Sequence, residues 1–246
     1  MSRSLAALVD DLRERSVNYA EEEAPPHVVT GWHRDGLRLV LGREEPGEIE
    51  PGGLAEKAAA LVASYEFADP AILRAVYRTP SDLVGRNMLL VGRFLLLRFA
   101  MGVRVTEAHD EVGDGEHRIG WSYQTLEGHL EQGKLTWEIA KDLASGAVEF
   151  RIRAFSRRAP LRNPVVALGF RLFARRTQLR FYDNALERLA HLLESPAAPP
   201  PPSPDDGLAR APGGRAPFSP ERFTIRLVHP GHTKRASGPN TRRSLP

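Results

Sequence analysis

The sequence has no cysteine among its 246 residues. This excludes disulfides, thiolate metal sites and cysteine nucleophiles. Long apolar runs are also lacking, because the most apolar stretch, Met88–Val103, contains Arg93 and Arg98 and falls short of the roughly 20 apolar residues that a spanning helix needs. Residues 1–5 lack the apolar core of a secretory signal. We therefore expect a cytoplasmic protein without a transmembrane segment.

Proline and positive charge are concentrated near the C-terminus. Nine of the 20 prolines fall within residues 196–220, and residues 207–246 hold eight Lys or Arg against one acidic residue. Segments of this composition cannot bury a core and are typically disordered. The sequence therefore predicts a folded domain over residues 1–195 and a Pro-rich, basic, largely disordered tail over residues 196–246. Within that tail, residues 222–228 alternate like a short strand.

Apolar residues alternate with polar ones through residues 118–158. This period predicts antiparallel strands with one buried face. In three successive strands the residues on that face are Ile119, Trp121 and Tyr123; Leu135, Trp137 and Ile139; and Val148, Phe150, Ile152 and Ala154. The alternation also begins again at Val103.

Other segments have helical spacing. Residues 54–65 and 71–77 predict two short helices, and residues 37–41 predict a strand before them. A long amphipathic helix is expected from Asn163 as N-cap and Pro164 at the first helical position to Pro196. Residues 88–99 fit either a strand or a helix.

This order of elements predicts an α+β fold of the helix-grip type. In such a fold a curved antiparallel sheet wraps a long C-terminal helix, and the cavity between them is the usual ligand site. The disordered tail would follow that helix.

Two motifs carry a family resemblance. Residues 123–133 read Y-Q-T-L-E-G-H-L-E-Q-G, and residues 154–157 read A-F-S-R. They resemble the Y-G-T-L-x-G-H-P-E-x-G and A-F-S-R-P motifs of the bacterial and plant family called domain of unknown function 1990, whose N-terminal N-Y resembles Asn18-Tyr19. The resemblance covers roughly residues 15–194 and implies a helix-grip shape similar to lipid-transfer and polyketide-cyclase-like proteins.

The sequence departs from the family motifs at five positions. Gln124 replaces Gly, Leu130 and Arg158 replace Pro, and Lys134-Leu135 replace Glu-Glu. These departures indicate a divergent branch.

Two groups of ionisable residues are candidates for acid–base catalysis. Glu127, His129 and Glu131 occupy alternate positions of the Gly-containing loop, where His129 could alternatively hydrogen-bond the loop's own backbone. Glu107 and His109 continue the apolar face that begins at Val103, unless a bulge turns both into water. An H-x-E triplet without a third ligand does not predict a metal site.

Arginines interrupt the apolar stripe of the long helix. Arg175 and Arg176 either keep their guanidinium groups in water, or turn one inward to pair with Glu138, Glu149 or a ligand carboxylate. The residues expected to bind a ligand are Trp121, Tyr123, Thr125, Trp137, Arg153, Arg175 and Arg176.

Three functional hypotheses follow. The favoured one is a non-enzymatic module that binds an apolar or amphipathic small molecule in the sheet–helix cavity, because of the element order and because no nucleophile–base motif is present; no cofactor is expected. The second is a cofactor-free cyclase, isomerase or hydrolase that uses a His/Glu pair. The third is a peripheral membrane or protein-interaction role for residues 165–173 and the basic tail. The dispersed charges do not predict a nucleic-acid partner.

Overall fold

A curved antiparallel sheet organises the chain in the computed structural model. The structure describes residues 4–94, 97–160, 164–195, 207–213 and 225–227, with side chains described outside 93–98, 164–174 and 225–227. The strands are β1 (His33–Arg43), β2 (Leu73–Arg78), β3 (Asn87–Phe94), β4 (Leu97–Gly113), β5 (Glu116–Thr125), β6 (Glu131–Asp142), β7 (Ala147–Arg158), β8 (Leu208–Ala211) and β9 (Ile225–Leu227). The helices are α1 (Leu5–Asp10), α2 (Leu54–Ala63) and α3 (Pro164–Glu194), with short 3₁₀ turns at Asp11–Glu14 and Glu21–Glu23.

Eight strands follow one another across the sheet in the order β1-β7-β6-β5-β4-β3-β2-β8. Every neighbouring pair in this series is antiparallel, while β9 pairs in parallel with β4. The predicted α+β helix-grip fold is therefore confirmed, and the strand predicted at residues 37–41 is the centre of β1. Helix α3 begins at Pro164 as expected; Asn163 lies outside the described residues.

The inner face of the sheet holds the main core. Trp121 and Trp137 are almost fully buried there, as the alternation predicts. The Trp137 ring lies 4.4 Å from Phe67 after α2, 6.1 Å from Phe150 on β7 and 6.0 Å from Phe181 on α3, measured between ring centroids. These ring contacts therefore join the sheet to the two segments that cover its inner face, the residues after α2 and the helix α3.

The predicted helix over residues 71–77 is wrong, because those residues lie mostly in β2. Ala75 and Tyr77 face the main core, whereas Val76 packs beneath α1 on the opposite face. Both faces of this strand are covered, so its sequence shows no polar alternation. A short apolar run of that kind does not distinguish a strand from a helix. Of the residues 88–99, which fitted either a strand or a helix, those that the structure describes lie in β3 and at the beginning of β4.

Strand β4 contains a β-bulge between Val105 and Glu107. Val105 pairs with Tyr123 and faces the core, while Glu107 pairs with Ser122 on the outer face. The extra residue reverses the alternation of the strand. Glu107 and His109 therefore lie on the outer face, so of the two alternatives in the sequence analysis the bulge is the one that the structure has.

Part of the predicted tail joins the sheet. Strand β8 pairs with β2 from Ala75↔Ala211 to Arg78↔Leu208, and the side chains of Leu208 and Ala211 are buried. Strand β9, within the predicted strand at residues 222–228, pairs with β4. Residues 196–206, 214–224 and 228–246 of the tail lie outside the described residues.

A buried ion pair fixes the beginning of α2. Lys141 on β6 lies 2.8 Å from the Glu44 carboxylate and donates a 2.6 Å hydrogen bond to the Glu48 carbonyl. The second Glu44 oxygen accepts a 2.8 Å hydrogen bond from the Ala55 backbone N–H. Both charged side chains are almost completely buried, at 0% and 3% exposure for Lys141 and Glu44.

Replacing Lys141 by Met should destabilise the fold by about 3–5 kcal/mol, because it leaves the Glu44 carboxylate buried without a counter-charge. Urea unfolding monitored by circular dichroism measures this change. The double variant Glu44→Gln/Lys141→Met should recover much of the loss, and equal losses in the single and double variants would contradict this account.

Candidate functional site

The inner face of the sheet becomes polar at one end. In β1 the apolar series Leu37, Leu39 and Leu41 is preceded at the same spacing by Asp35, and in β7 the series ends at Ser156. In β6 the corresponding inner position is Glu131. Because β1 and β6 both run antiparallel to β7, their N-terminal ends meet its C-terminal end.

Helix α3 adds polar side chains opposite this end of the sheet. Arg175 and Gln178 are three residues apart and Tyr182 follows four residues later, which places all three on one side of the helix. We call Asp35, Glu131, Ser156, Arg175 and Gln178 the Glu131 cluster.

Hydrogen bonds connect the members of the Glu131 cluster. Arg175 makes a bidentate ion pair with Asp35, with one bond of 2.6 Å, and donates a 2.8 Å hydrogen bond to the Gln178 side-chain oxygen. The Gln178 amide then donates to Ser156 Oγ at 3.2 Å and to the Glu131 carboxyl at 3.3 Å. The inward arginine of the sequence analysis is therefore Arg175, and its partner is Asp35 rather than Glu138 or Glu149.

Glu131 has unusual electrostatics. Burial raises the pKa of its carboxyl to about 7, the nearby Arg175 lowers it, and the negative charge of Asp35 raises it further. Among the described residues its only hydrogen-bond partner at the carboxyl is the neutral Gln178 amide. The group can consequently hold or release a proton near neutral pH.

Tyrosines extend from this cluster into the aromatic core. Burial raises the pKa values of Tyr123 and Tyr182, and the charge of Glu131 raises both further. The hydroxyl of Tyr65 is close enough to that of Tyr123 to influence its pKa, but does not form a well-aligned hydrogen bond. The Tyr65 hydroxyl and the Trp137 Nε1 are buried without hydrogen-bond partners in the described part of the chain.

His129 interacts with its own loop. Its Nδ1 accepts a 2.9 Å hydrogen bond from the Glu131 backbone N–H, and its side chain is buried. Burial lowers the pKa of the imidazole to about 4, so it is neutral at physiological pH. Gly128 has a φ of +89°, and a Cβ there would lie 2.9 Å from an Arg15 guanidinium nitrogen.

The N-terminal segment is attached to this loop by side chains of the family motifs. The Asn18 amide donates to the Glu131 carbonyl at 2.9 Å, and Thr125 Oγ1 donates to Asn18 Oδ1 at 2.7 Å while accepting from the Gly133 N–H at 2.9 Å. Gln132 also donates to the Asn18 carbonyl. The Thr125 hydroxyl is thus engaged in holding the loop.

The remaining predicted residues do not join the Glu131 cluster. On the outer face, Glu107 binds Lys134, and His109 Nε2 and Arg153 both contact Glu138, at 3.1 and 2.5 Å. The Glu127 carboxylate accepts a 3.4 Å hydrogen bond from the Ser16 N–H. Arg176 is exposed. Trp121 donates a 3.2 Å hydrogen bond to the Val62 carbonyl.

The residues predicted from the sequence do not include three members of the Glu131 cluster, Asp35, Ser156 and Gln178, or the neighbouring Tyr182. Asp35 and Ser156 could have been found by extending the period of two past the last apolar residue of each strand. Gln178 and Tyr182 share the three- and four-residue spacing with Arg175. Of the predicted residues, the structure brings Glu131, Tyr123 and Arg175 to this end of the core.

No described helix is both long and apolar enough to cross a membrane. The side chains of residues 165–173, which the third hypothesis assigns to a membrane or partner surface, lie outside the described residues.

Together, the sheet, the helix α3 and the polar end of the core define an α+β helix-grip protein with a sheet–helix interior. The chain belongs to the family described as Domain of unknown function (DUF1990), whose model matches residues 15–180. The family resemblance seen in the sequence is therefore confirmed. No curated protein matches the sequence.

Solved structures show only a distant likeness. A hypothetical protein jhp0584 from Helicobacter pylori is 10% identical with a TM-score of 0.41, covering 72% of this chain and 95% of its own. Ara h 8.0201 is 9% identical with a TM-score of 0.39, covering 67% and 99%. The major latex-like protein 151 from Panax ginseng is 7% identical with a TM-score of 0.40, covering 65% and 97%. At these values the likeness carries no functional argument.

Replacing Glu131 by Gln should change how stability depends on pH. The carboxyl titrates near pH 4.5 when unfolded and near 7 when folded, so its contribution is fully present below pH 4.5 and is lost as the pH rises through 7. At about 1.4 kcal/mol per pKa unit, the loss is no more than about 3.5 kcal/mol. Urea unfolding from pH 4 to pH 8 measures it.

Glu131→Gln should lack this loss of stability with rising pH. Glu127→Gln should keep the wild-type dependence of stability on pH, because Glu127 lies outside the Glu131 cluster. Parallel profiles for wild type and Glu131→Gln would show that the carboxyl titrates normally.

Proposed function

We propose that this protein binds an amphipathic small molecule between the sheet and α3. The polar part of the ligand meets the Glu131 cluster, and the apolar part lies against the aromatic core. One observation carries the proposal: a carboxyl with a pKa near 7 occupies the polar end of an otherwise apolar sheet–helix interior. Ligand sites combine apolar walls with a few convergent polar groups in this way.

Accessibility supports an entry at this end. Glu131 keeps some accessible surface, although burial dominates its pKa. The Arg175 side chain is 38% exposed even though its partner Asp35 is only 7% exposed. Arg175 therefore stands at the rim, with its guanidinium accessible to an acidic or hydroxyl group of a ligand, while Glu131 lies deeper.

Unpaired donors in the core also support a ligand. The Tyr65 hydroxyl and the Trp137 Nε1 belong to rings whose centroids are 6.3 Å apart, and a buried donor without a partner costs free energy. A ligand oxygen within reach of either donor would remove this cost. The bound state would then require the aromatic side chains to move apart.

Native mass spectrometry of the gently purified full chain tests the proposal by detecting a co-purified molecule. Anilinonaphthalenesulfonate, an amphipathic fluorescent anion, serves as a second probe. A homogeneous ligand-free mass together with no fluorescence enhancement by the folded protein would overturn it.

The matched pair Arg175→Met and Arg176→Met locates the site. Arg175→Met should weaken anilinonaphthalenesulfonate binding by about tenfold or more, since a charge-assisted hydrogen bond contributes about 1.5–3 kcal/mol. Arg176→Met removes an exposed charge one residue away and should have little effect. Fluorescence titration measures both, with circular dichroism to confirm folding. Equal affinities in the two variants would place the probe elsewhere.

A second candidate function is acid–base catalysis on the same ligand, which the raised pKa of Glu131 favours. A general acid–base group is most effective when its pKa lies near the working pH. The neutral, backbone-bonded His129 offers less support for a His/Glu pair.

Any molecule recovered by native mass spectrometry can be incubated with the protein to test this alternative. Catalysis predicts that the wild type converts the molecule with an apparent pKa of about 7 in the rate profile, and that Glu131→Gln still binds it but does not convert it. Unchanged molecule after incubation with the wild type would leave binding as the function.

A further inference from the structure

A pocket lies beside α1, and no residue of the Glu131 cluster lines it. It is formed between α1 with its following 3₁₀ turn and the connection from β2 to β3, and its volume is about 240 Å³. Its lining includes three arginines, Arg13, Arg78 and Arg86. Helix α1 packs on Val76 and Leu89, which face away from the main core, whereas Arg86 reaches the C-terminal end of α2 and the Tyr77 ring, so the pocket lies at the rim of the sheet.

Two of these arginines are held in place by the protein. Arg78 donates to the Asp10 carboxylate through Nε at 2.9 Å and Nη2 at 2.6 Å. Arg86 donates to the Ser81 hydroxyl and to the Ala63 carbonyl, both at 3.2 Å, and lies 4.7 Å from the centre of the Tyr77 ring. Their guanidinium groups are consequently oriented before any ligand arrives, which reduces the entropy lost on binding.

Arg13 differs from both of them. Within the part of the chain that the structure describes, its guanidinium has no hydrogen-bond or ion-pair partner, although it is close enough to Asp10 to lower the pKa of that carboxyl. It is exposed at the rim of the pocket and retains its donors for a ligand.

The remaining lining also favours a negatively charged ligand. Asn87 uses its side-chain oxygen to accept a 2.8 Å hydrogen bond from Arg104, which leaves its amide group as a donor. Asp82 is the one acidic residue in the lining. Counting Asp10 behind Arg78, three positive charges face two negative ones, so the pocket retains a net positive charge.

We propose that this pocket binds the phosphate group of a small phosphorylated ligand. Guanidinium groups match the oxygen geometry of phosphate and donate paired hydrogen bonds to it. The volume is below the roughly 300–1,000 Å³ of sites for drug-sized ligands, so it suits one phosphate-bearing headgroup. The shared chemistry is a phosphate monoester, carried either by a soluble molecule or by a lipid headgroup.

Nuclear magnetic resonance of the ¹⁵N-labelled full chain tests the site with inorganic phosphate as the probe. At constant ionic strength kept with chloride, the Nε–H signals of Arg13, Arg78 and Arg86 should shift and saturate. Arg13→Gln should weaken binding by about tenfold, as expected for the loss of one charge-assisted hydrogen bond, and Arg13→Lys by less. Because Arg13 is exposed and unpaired among the described residues, its variants should fold normally.

Arg180→Gln is the matched control, since Arg180 is an exposed arginine on α3 outside the pocket. Shifts that do not saturate, or that are the same in wild type and Arg13→Gln, would overturn the proposal.

Vesicle sedimentation distinguishes the two sources of the phosphate group. Vesicles of phosphatidylcholine with phosphatidic acid are compared with vesicles that carry the same charge as phosphatidylserine. Binding to phosphatidic acid that Arg13→Gln abolishes identifies a lipid headgroup. Saturable inorganic phosphate binding without vesicle binding identifies a soluble ligand, and the absence of both contradicts the proposal.

Discussion

The contact between the Trp137 ring and the Phe181 ring determines how α3 lies on the sheet. With Phe181 against the centre of β6, the positions three residues before and one residue after it also face the sheet. These are Gln178 and Tyr182, and Arg175 lies one further turn along the same side. The aromatic packing thus sets the rotation of the helix that brings its polar residues to Glu131. A different rotation would separate Arg175 from Asp35 and leave that buried carboxylate without a counter-charge.

The family motifs in this protein serve mainly to fix a shape. Asn18, Thr125 and Gln132 hydrogen-bond one another and the backbone of the loop, and His129 accepts from the loop's own N–H. Where the family has glycine, Gln124 donates a 2.8 Å hydrogen bond to the Tyr19 hydroxyl. The divergent residue therefore adds a contact to the same attachment. The loop in turn holds the N-terminal end of β6, where the Glu131 side chain begins the inner face.

The parts that could be predicted from the sequence are those with one buried face. Strands β5, β6 and β7 show a clear period of two, and α3 has a clear start signal. Strand β2 could not be recognised because α1 covers its second face through Val76, which removes the polar alternation. The bulge after Val105 has no glycine or proline to mark it, yet it moves Glu107 and His109 to the outer face. The Asp35–Arg175 pair joins residues 140 positions apart, and only the fold brings them together.

Strand β8, which follows α3 in the chain, covers the edge of the sheet that β2 would otherwise form. Its residues complete the hydrogen bonding of β2, and the Gly213 N–H donates to the Glu66 carboxylate at 3.0 Å. A chain cut after α3 would keep the Glu131 cluster but would expose the β2 edge, with the backbone groups of Ala75–Arg78 unpaired. An open edge of this kind is a template for pairing with another molecule. Residues 207–213 therefore cover this edge with a strand of only four residues, and short edge strands offer few unpaired backbone groups to another chain.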